Sequence, residues 1–177
     1  MGIEETGGGH AASVTEVARC RARELYLDDA NVHGCAETAF VVLKEAFGLP
    51  DAADSSAAMA LNGGVAYSGA TCGAVTGAAM ALGQLAASRI PDHREAKRAA
   101  RELTADLLVA FEAEFGATTC RALTGVDLRT EAGHRAFIES GAWRDGCMRQ
   151  VELAVTRLAP LAGPDAWDAA VAHEAPA

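Results

Sequence analysis

The chain carries five cysteines, and four of them, Cys35, Cys72, Cys120 and Cys147, share a feature. Each falls in, or close to, the first turn of a helix that the local sequence predicts. Helix starts gather unpaired backbone N–H groups and the positive end of the helix dipole. Both favour the thiolate, the form that binds metal or attacks a disulfide, and both suit an anionic cofactor. Cys20 falls in mid-helix and reads as a half-buried bystander. The gaps between the four match no zinc-finger or ferredoxin pattern. On the residues alone, scattered buried cysteines are as good a reading as a shared centre.

Three other residues are candidates for acid–base chemistry. Glu37 stands at the third position of its helix, where a carboxylate also serves the helix start. Tyr67 reads as a buried loop aromatic. His33 fits a hydrogen-bonded loop residue better than a ligand, although mixed Cys/His ligation of a cluster is known. His10, His93, His134 and His173 lie in tails or polar segments without metal spacing. Arg121 follows Cys120, where it serves equally as a thiolate partner or a surface charge. Trp143 and Trp167 read as packing anchors.

The element that must position this chemistry is the uncharged stretch from Gly63 to Gly83. Gly69, Gly73 and Gly77 recur every four residues, so on a helix they share one face. Glycine costs about 1 kcal/mol against alanine inside a helix. Its repetition there means that something approaches the backbone closely, either another helix or a cofactor. Cys72 stands where the glycine-rich loop becomes the helix. Ahead of it, Ser13-Val14-Thr15-Glu16 predicts a capped helix start running to about Leu27. A second helix runs from Cys35 to Phe47, with Gly48 just beyond it and Pro50 following. Asp51 to Leu61 reads as a short helix. Asp92 to Phe115 is the longest, with Leu103, Leu107, Leu108, Phe111 and Phe115 on one face. Thr118 to Leu123 reads as a capped short helix stopped by Gly125. Asp127 to Ser140 leaves room for one short helix. A last helix starts near Trp143 to Gly146 and runs to Pro160. No strand alternation and no internal repeat occurs.

These patterns predict an all-α, single-domain bundle of six or seven helices around a Gly/Ala-rich central helix. Residues 1–12 are expected to form a disordered tail, 13–162 the Cys-containing domain, and 163–177 a loose tail. The length of 177 residues suits one domain. The net charge of −9 argues against nucleic acid and anionic membranes as partners. The run Val65 to Ala87 is long enough to span a bilayer, but its Gly, Ala, Ser and Thr content makes it a poor inserter. No secretory signal is visible, so a cytoplasmic location is expected. There, cysteines serve as metal ligands or catalysts more often than as structural disulfides. The small-residue face also suits a homodimer contact.

Cys72-Gly73-Ala74-Val75-Thr76-Gly77 reads C-G-A-x-x-G. Gly34-Cys35-Ala36-Glu37 lies upstream, and Phe115 to Gly125 (F-G-A-T-T-C-R-A-L-T-G) and Cys147 lie downstream. The chain thus resembles, over about residues 30–160, the C_GCAxxG_C_C family of proteins described as redox-active. That family is similar to the C-terminal region of split-Soret cytochromes c, which is associated with a non-haem iron centre. The resemblance implies an iron-centre module without haem, since no C-x-x-C-H occurs. It departs from the family in its Gly-rich start, in Cys20, and in a longer loop between Gly125 and Cys147.

Three readings follow. In the first, Cys35, Cys72, Cys120 and Cys147 ligate an iron–sulfur cluster, [2Fe–2S] or [4Fe–4S], serving electron transfer or redox chemistry. Gly73 and Gly77 would then leave space for it, and a redox partner of unknown identity is implied. In the second, the protein is a metal-free thiol–disulfide protein, with no cofactor and with Cys72 and Cys35 as the catalytic thiols. Without C-x-x-C, any pairing must be tertiary. In the third, it is a small-molecule enzyme or binding module with a non-redox Cys or zinc site.

Overall fold

The computed structural model describes residues 8–172, and side chains from residue 14 onward. Among the described residues there are eight α-helices and no named strand. These are α1 (Gly8–Tyr26), α2 (Cys35–Phe47), α3 (Gly73–Arg89), α4 (His93–Phe115), α5 (Cys120–Thr124), α6 (Glu131–Ser140), α7 (Met148–Leu158) and α8 (Pro164–Ala172). Short 3₁₀ turns occupy Ser56–Leu61 and Ala159–Ala162, and a π-turn occupies Trp143–Cys147.

The fold is the expected all-α bundle around the Gly/Ala-rich helix, with eight α-helices among the described residues where six or seven are expected. Central α3 packs on α2, α4 and α7, and α1 packs on α2 and α7. The boundaries follow local chemistry. The Asp92 carboxylate accepts from Arg94 N at 3.0 Å and Glu95 N at 2.9 Å, which starts α4. Gly48 and Gly116 end α2 and α4 in the left-handed conformation that glycine adopts without a Cβ penalty. On α7, Met148, Val151, Ala154, Val155 and Leu158 keep helical spacing and are all buried. Leu82, Leu85, Phe111 and Val151 fill the centre. Each such side chain contributes about 1.5–3 kcal/mol when fully withdrawn from water.

Several expectations change. The capping box at Ser13–Glu16 lies inside α1, which begins at Gly8. Residues 1–7 of the expected tail lie outside the described residues, as do 173–177. Where a loose C-terminal tail is expected, α8 forms, and its Trp167 is buried against the Arg89 guanidinium, 5.1 Å from the ring centroid. Gly69 is not on the central helix. It lies ahead of it at φ +81°, pressed on the Arg121 side chain of α5. Gly73 and Gly77 do share a face, and another helix fills it. A Cβ on Gly77 would collide with the Ala36 carbonyl, and one on Gly73 with the Cys35 sulfur and Ala36 N. The face offered above for a cofactor or a second copy is therefore occupied by α2 of the same chain. Cys20 is exposed on α1, near Glu16. Among the described residues no helix is long and apolar enough to cross a membrane.

Candidate functional site

Cys35 is the first residue of α2, preceded by Gly34 in extended conformation. A Cβ on Gly34 would run into the Asn62 side chain, so glycine permits the close approach. Asn62 Oδ1 accepts from Ala36 N at 3.0 Å and lies 4.0 Å from the Cys35 sulfur. Glu37 holds Asn62 in place. Its carboxylate accepts from Asn62 Nδ2 at 2.7 Å, Gly34 N at 3.0 Å and Ser55 Oγ at 3.0 Å. Both oxygens are thus committed, and Glu37 is a buried brace for the helix start, not a free acid or base.

Cys72 caps α3, and Cys120 opens α5. Backbone bonds zip the two loops together. Cys72 N donates to Thr118 O at 2.8 Å, Cys120 N to Ala70 O at 2.7 Å, and Arg121 N to Gly69 O at 3.1 Å. The N–H groups at the start of α5 are thereby spent on carbonyls. Cys147 ends the π-turn and leads directly into α7 in helical conformation. Its site is a widened helical turn, of the kind often found where a helix serves function.

Cys35, Cys120 and Cys147 line one cavity, and Cys72 adjoins Gly73, which packs on the Cys35 sulfur. After burial, negative charge on Cys35, Cys147 or Cys120 would disfavour the Cys72 thiolate. Cys35 likewise raises the pKa values of Cys120 and Cys147. Each sulfur also has a neutral polar neighbour. Asn62 lies beside Cys35. The Cys72 thiol donates to Gln150 Oε1 at 3.5 Å. The Tyr26 hydroxyl donates to the Cys147 sulfur. Thr124 lies beside Cys120, with its own proton on the Cys120 carbonyl at 2.8 Å.

The thiols hold their protons, contrary to what helix starts alone predict. Burial is the main cause and their mutual proximity adds to it. It pushes Cys120 up to about 11 and Cys147 up to about 12. Cys35 is also raised and Cys72 well raised. The backbone effect exists but loses: N–H groups of Gly63, Ala36, Cys35 and Gly73 favour the Cys35 thiolate without overcoming desolvation. Tyr26 is raised too, first by burial and then by Cys147.

A cavity of about 210 Å³ opens onto this cluster. Cys35, Cys120 and Cys147 line it, together with Tyr26, Trp143 and Leu128. Cys72 lies outside that lining, only 2 % exposed, between α3 and Gln150. Tyr67 is half-exposed rather than buried, and packs edge-on against His134 at 5.1 Å between centroids. His33 is not among the cavity residues. Arg121 pairs with Asp127 at 3.1 Å instead of a thiolate. Trp143 is buried and stacks edge-on with Tyr26.

Tyr26, Asn62 and Gln150 belong to the site without standing out in the sequence. Only Gln150 leaves a signal, as a polar residue three positions after Cys147, on the buried stripe of α7. Among the described residues no set of three or more His, Cys, Asp or Glu side chains is arranged to hold a metal ion.

No curated protein and no solved structure matches this chain. Residues 33–161 match the family described as "Putative redox-active protein (C_GCAxxG_C_C)", and those residues contain all four clustered cysteines. The chain belongs to the C_GCAxxG_C_C family.

Proposed function

We propose that this is a redox protein whose centre is an iron–sulfur cluster held by Cys35, Cys72, Cys120 and Cys147. One observation carries the reading: four thiols from four separate helix junctions meet in one buried group, each with a neutral hydrogen-bonding neighbour. Four soft sulfur donors suit iron–sulfur chemistry. A single ion would need its ligands to converge on one point, and no such set occurs among the described residues. A cluster spreads its thiolates over several irons, so its ligands stand farther apart.

When bound, such a group supplies one-electron transfer. The chain's own residues do the rest. Binding would displace the four thiol protons that the metal-free site retains. The N–H groups around Cys35 and the Tyr26 hydroxyl would then stabilise charged sulfur, which tunes such centres. Gly73 lets the Cys35 sulfur sit against the start of α3.

Protein purified without oxygen is expected to be brown and to contain iron and acid-labile sulfide. Cys72→Ala is expected to lose both. Colourless, iron-free protein from anaerobically grown cells would rule the reading out.

A metal-free thiol–disulfide protein is the second reading, favoured by the opening of Cys35 onto the cavity. The raised thiol pKa values weigh against it, because attack requires the thiolate. A thiol count that falls by pairs on mild oxidation, and recovers on reduction, would support it.

A further inference from the structure

The cavity beside the sulfurs has a built mouth. Cys35, Cys120 and Cys147 form part of its wall, and Tyr67, His134, Val32 and Ile138 also line it, all four standing exposed or half-exposed. One side of the mouth is a backbone segment in an unusual state. Gly63, Gly64, Val65, Ala66 and Tyr67 all have positive φ, at +65°, +74°, +59°, +51° and +59°. Each L-residue in the left-handed region costs about 1–2 kcal/mol, and β-branched Val65 is especially unsuited to it. Such strain persists where surrounding structure imposes it, and it clusters at ligand clamps and active sites.

Here the turn is fixed from both ends. Ala66 N donates to Ala60 O at 2.7 Å, Tyr67 N to Asn62 O at 3.2 Å, Gly69 N to Gly63 O at 3.1 Å and Ala70 N to Gly64 O at 3.1 Å. The same turn joins Asn62, which braces Cys35, to the loop that carries Cys72. The other side of the mouth is α6, which has no fully buried residue and meets the turn through His134 and Tyr67.

The chemistry of the lining is selective. Among the described residues that form it there is no lysine or arginine. Its one carboxylate, Glu37, is already committed to three donors. The remaining groups are three cysteine thiols, His134, and aromatic, aliphatic or neutral polar residues. An anion entering here would shed its hydration and meet no lysine or arginine.

We propose that this cavity is a binding site for a small uncharged molecule with an apolar or aromatic body, admitted past the Tyr67–His134 pair to the side of the sulfur centre where Cys35 lies. The proposal rests on reading the four sulfurs as one centre. It makes that centre a place where a substrate is met, not only a relay for electrons.

The test uses the full chain, stripped of metal with a chelator and kept reduced. Iodoacetamide, which is neutral, and iodoacetate, its anionic counterpart, compete for the thiols. Exposed Cys20 is the reference within the same molecule. The amide-to-acetate labelling ratio at Cys35 is expected to exceed that at Cys20 by about tenfold or more, the penalty for bringing an unpaired charge into a neutral pocket. Phenol should slow amide labelling of Cys35, and benzoate should not. Tyr67→Ala and His134→Ala should each speed labelling of Cys35 and leave Cys20 unchanged. Equal ratios at the two cysteines, equal protection by phenol and benzoate, no protection by either, or insensitivity to both variants would overturn the proposal. Iron-free protein from anaerobic cells would remove the cluster and leave these ratios intact, so the two failures are distinguishable.

Discussion

Cys147 and Cys120 show which effect wins when a thiol is both at a helix start and inside a protein. The N–H groups that should lower their pKa are either absorbed into a continuous turn, at Cys147, or spent on loop carbonyls, at Cys120. Desolvation then dominates, followed by repulsion from a second negative charge at Cys35. In the metal-free chain, alkylation of Cys120 and Cys147 should therefore keep rising with pH up to about 11 and about 12, against the ordinary 9.0. The sign for stability follows. Both groups hold protons in the fold that the unfolded chain releases from about pH 9, so stability is fully present below that pH and falls as pH climbs through 11 and 12. Denaturant midpoints measured from pH 8 to 11 should decline. A flat profile would mean that the thiols are not buried together. The four cysteines were legible because their type limits their use. Tyr26 and Asn62 were not, and Gln150 was only by its place on the buried stripe of α7, since each has an ordinary local role: the end of a surface helix, a turn residue, one polar position on a helix. Only their spatial meeting at sulfur distinguishes them.

At the level of elements, two glycines on α3 separate helix propensity from packing. A Cβ at Gly77 would strike the Ala36 backbone of α2, whereas one at Gly83 would meet nothing within 4 Å. Gly83→Ala should stabilise the protein by about 1 kcal/mol through helix propensity alone. Gly77→Ala has the same propensity gain, but it must push α2 away from α3, and overpacking of this kind costs about 1–3 kcal/mol. It should therefore lower the denaturant midpoint, and it should also disturb Cys35 one residue from the contact. If both variants were stabilising, the close approach of the two helices would be wrong. The contrast explains what the sequence could convey about elements. Gly48, Gly116 and Asp92 act locally, so their boundaries were readable. The four-residue glycine spacing correctly implied a close neighbour, and its extension to Gly69 failed because a left-handed turn intervenes. Val65, Ala66 and Tyr67 carry no local preference for that conformation. Backbone bonds to Ala60, Leu61 and Asn62 before it and from Gly69 and Ala70 after it hold that turn, as packing of Trp167 holds α8 on a segment rich in Pro, Gly and Ala.

Across the whole molecule, the sulfur site closes only when distant segments have all docked, because its thiols come from the starts of α2, α3 and α5 and from the π-turn before α7. The C-terminal helix takes part without touching the site. Trp167 is 4 % exposed, sits over Arg89 at the end of α3, and is absent from the cavity lining. Trp167→Ala should cost about 3–5 kcal/mol as a large buried aromatic. That loss should reach the cysteines unequally. Cys72 is sealed behind the cavity, so a reagent reaches it through global opening, whose population grows about tenfold for each 1.4 kcal/mol lost. Cys35 faces the cavity and is reached in the folded state. In the metal-free Trp167→Ala variant, labelling of Cys72 under slow-reagent conditions should accelerate by about a hundredfold or more, in proportion to the measured loss of stability. Labelling of Cys35 should change little. Parallel acceleration at both residues would mean that the cavity is shut in the native state and that Cys35, too, is exposed only by unfolding. An unchanged rate at Cys72 would mean that a local opening reaches it, and that the fold does not gate its sulfur.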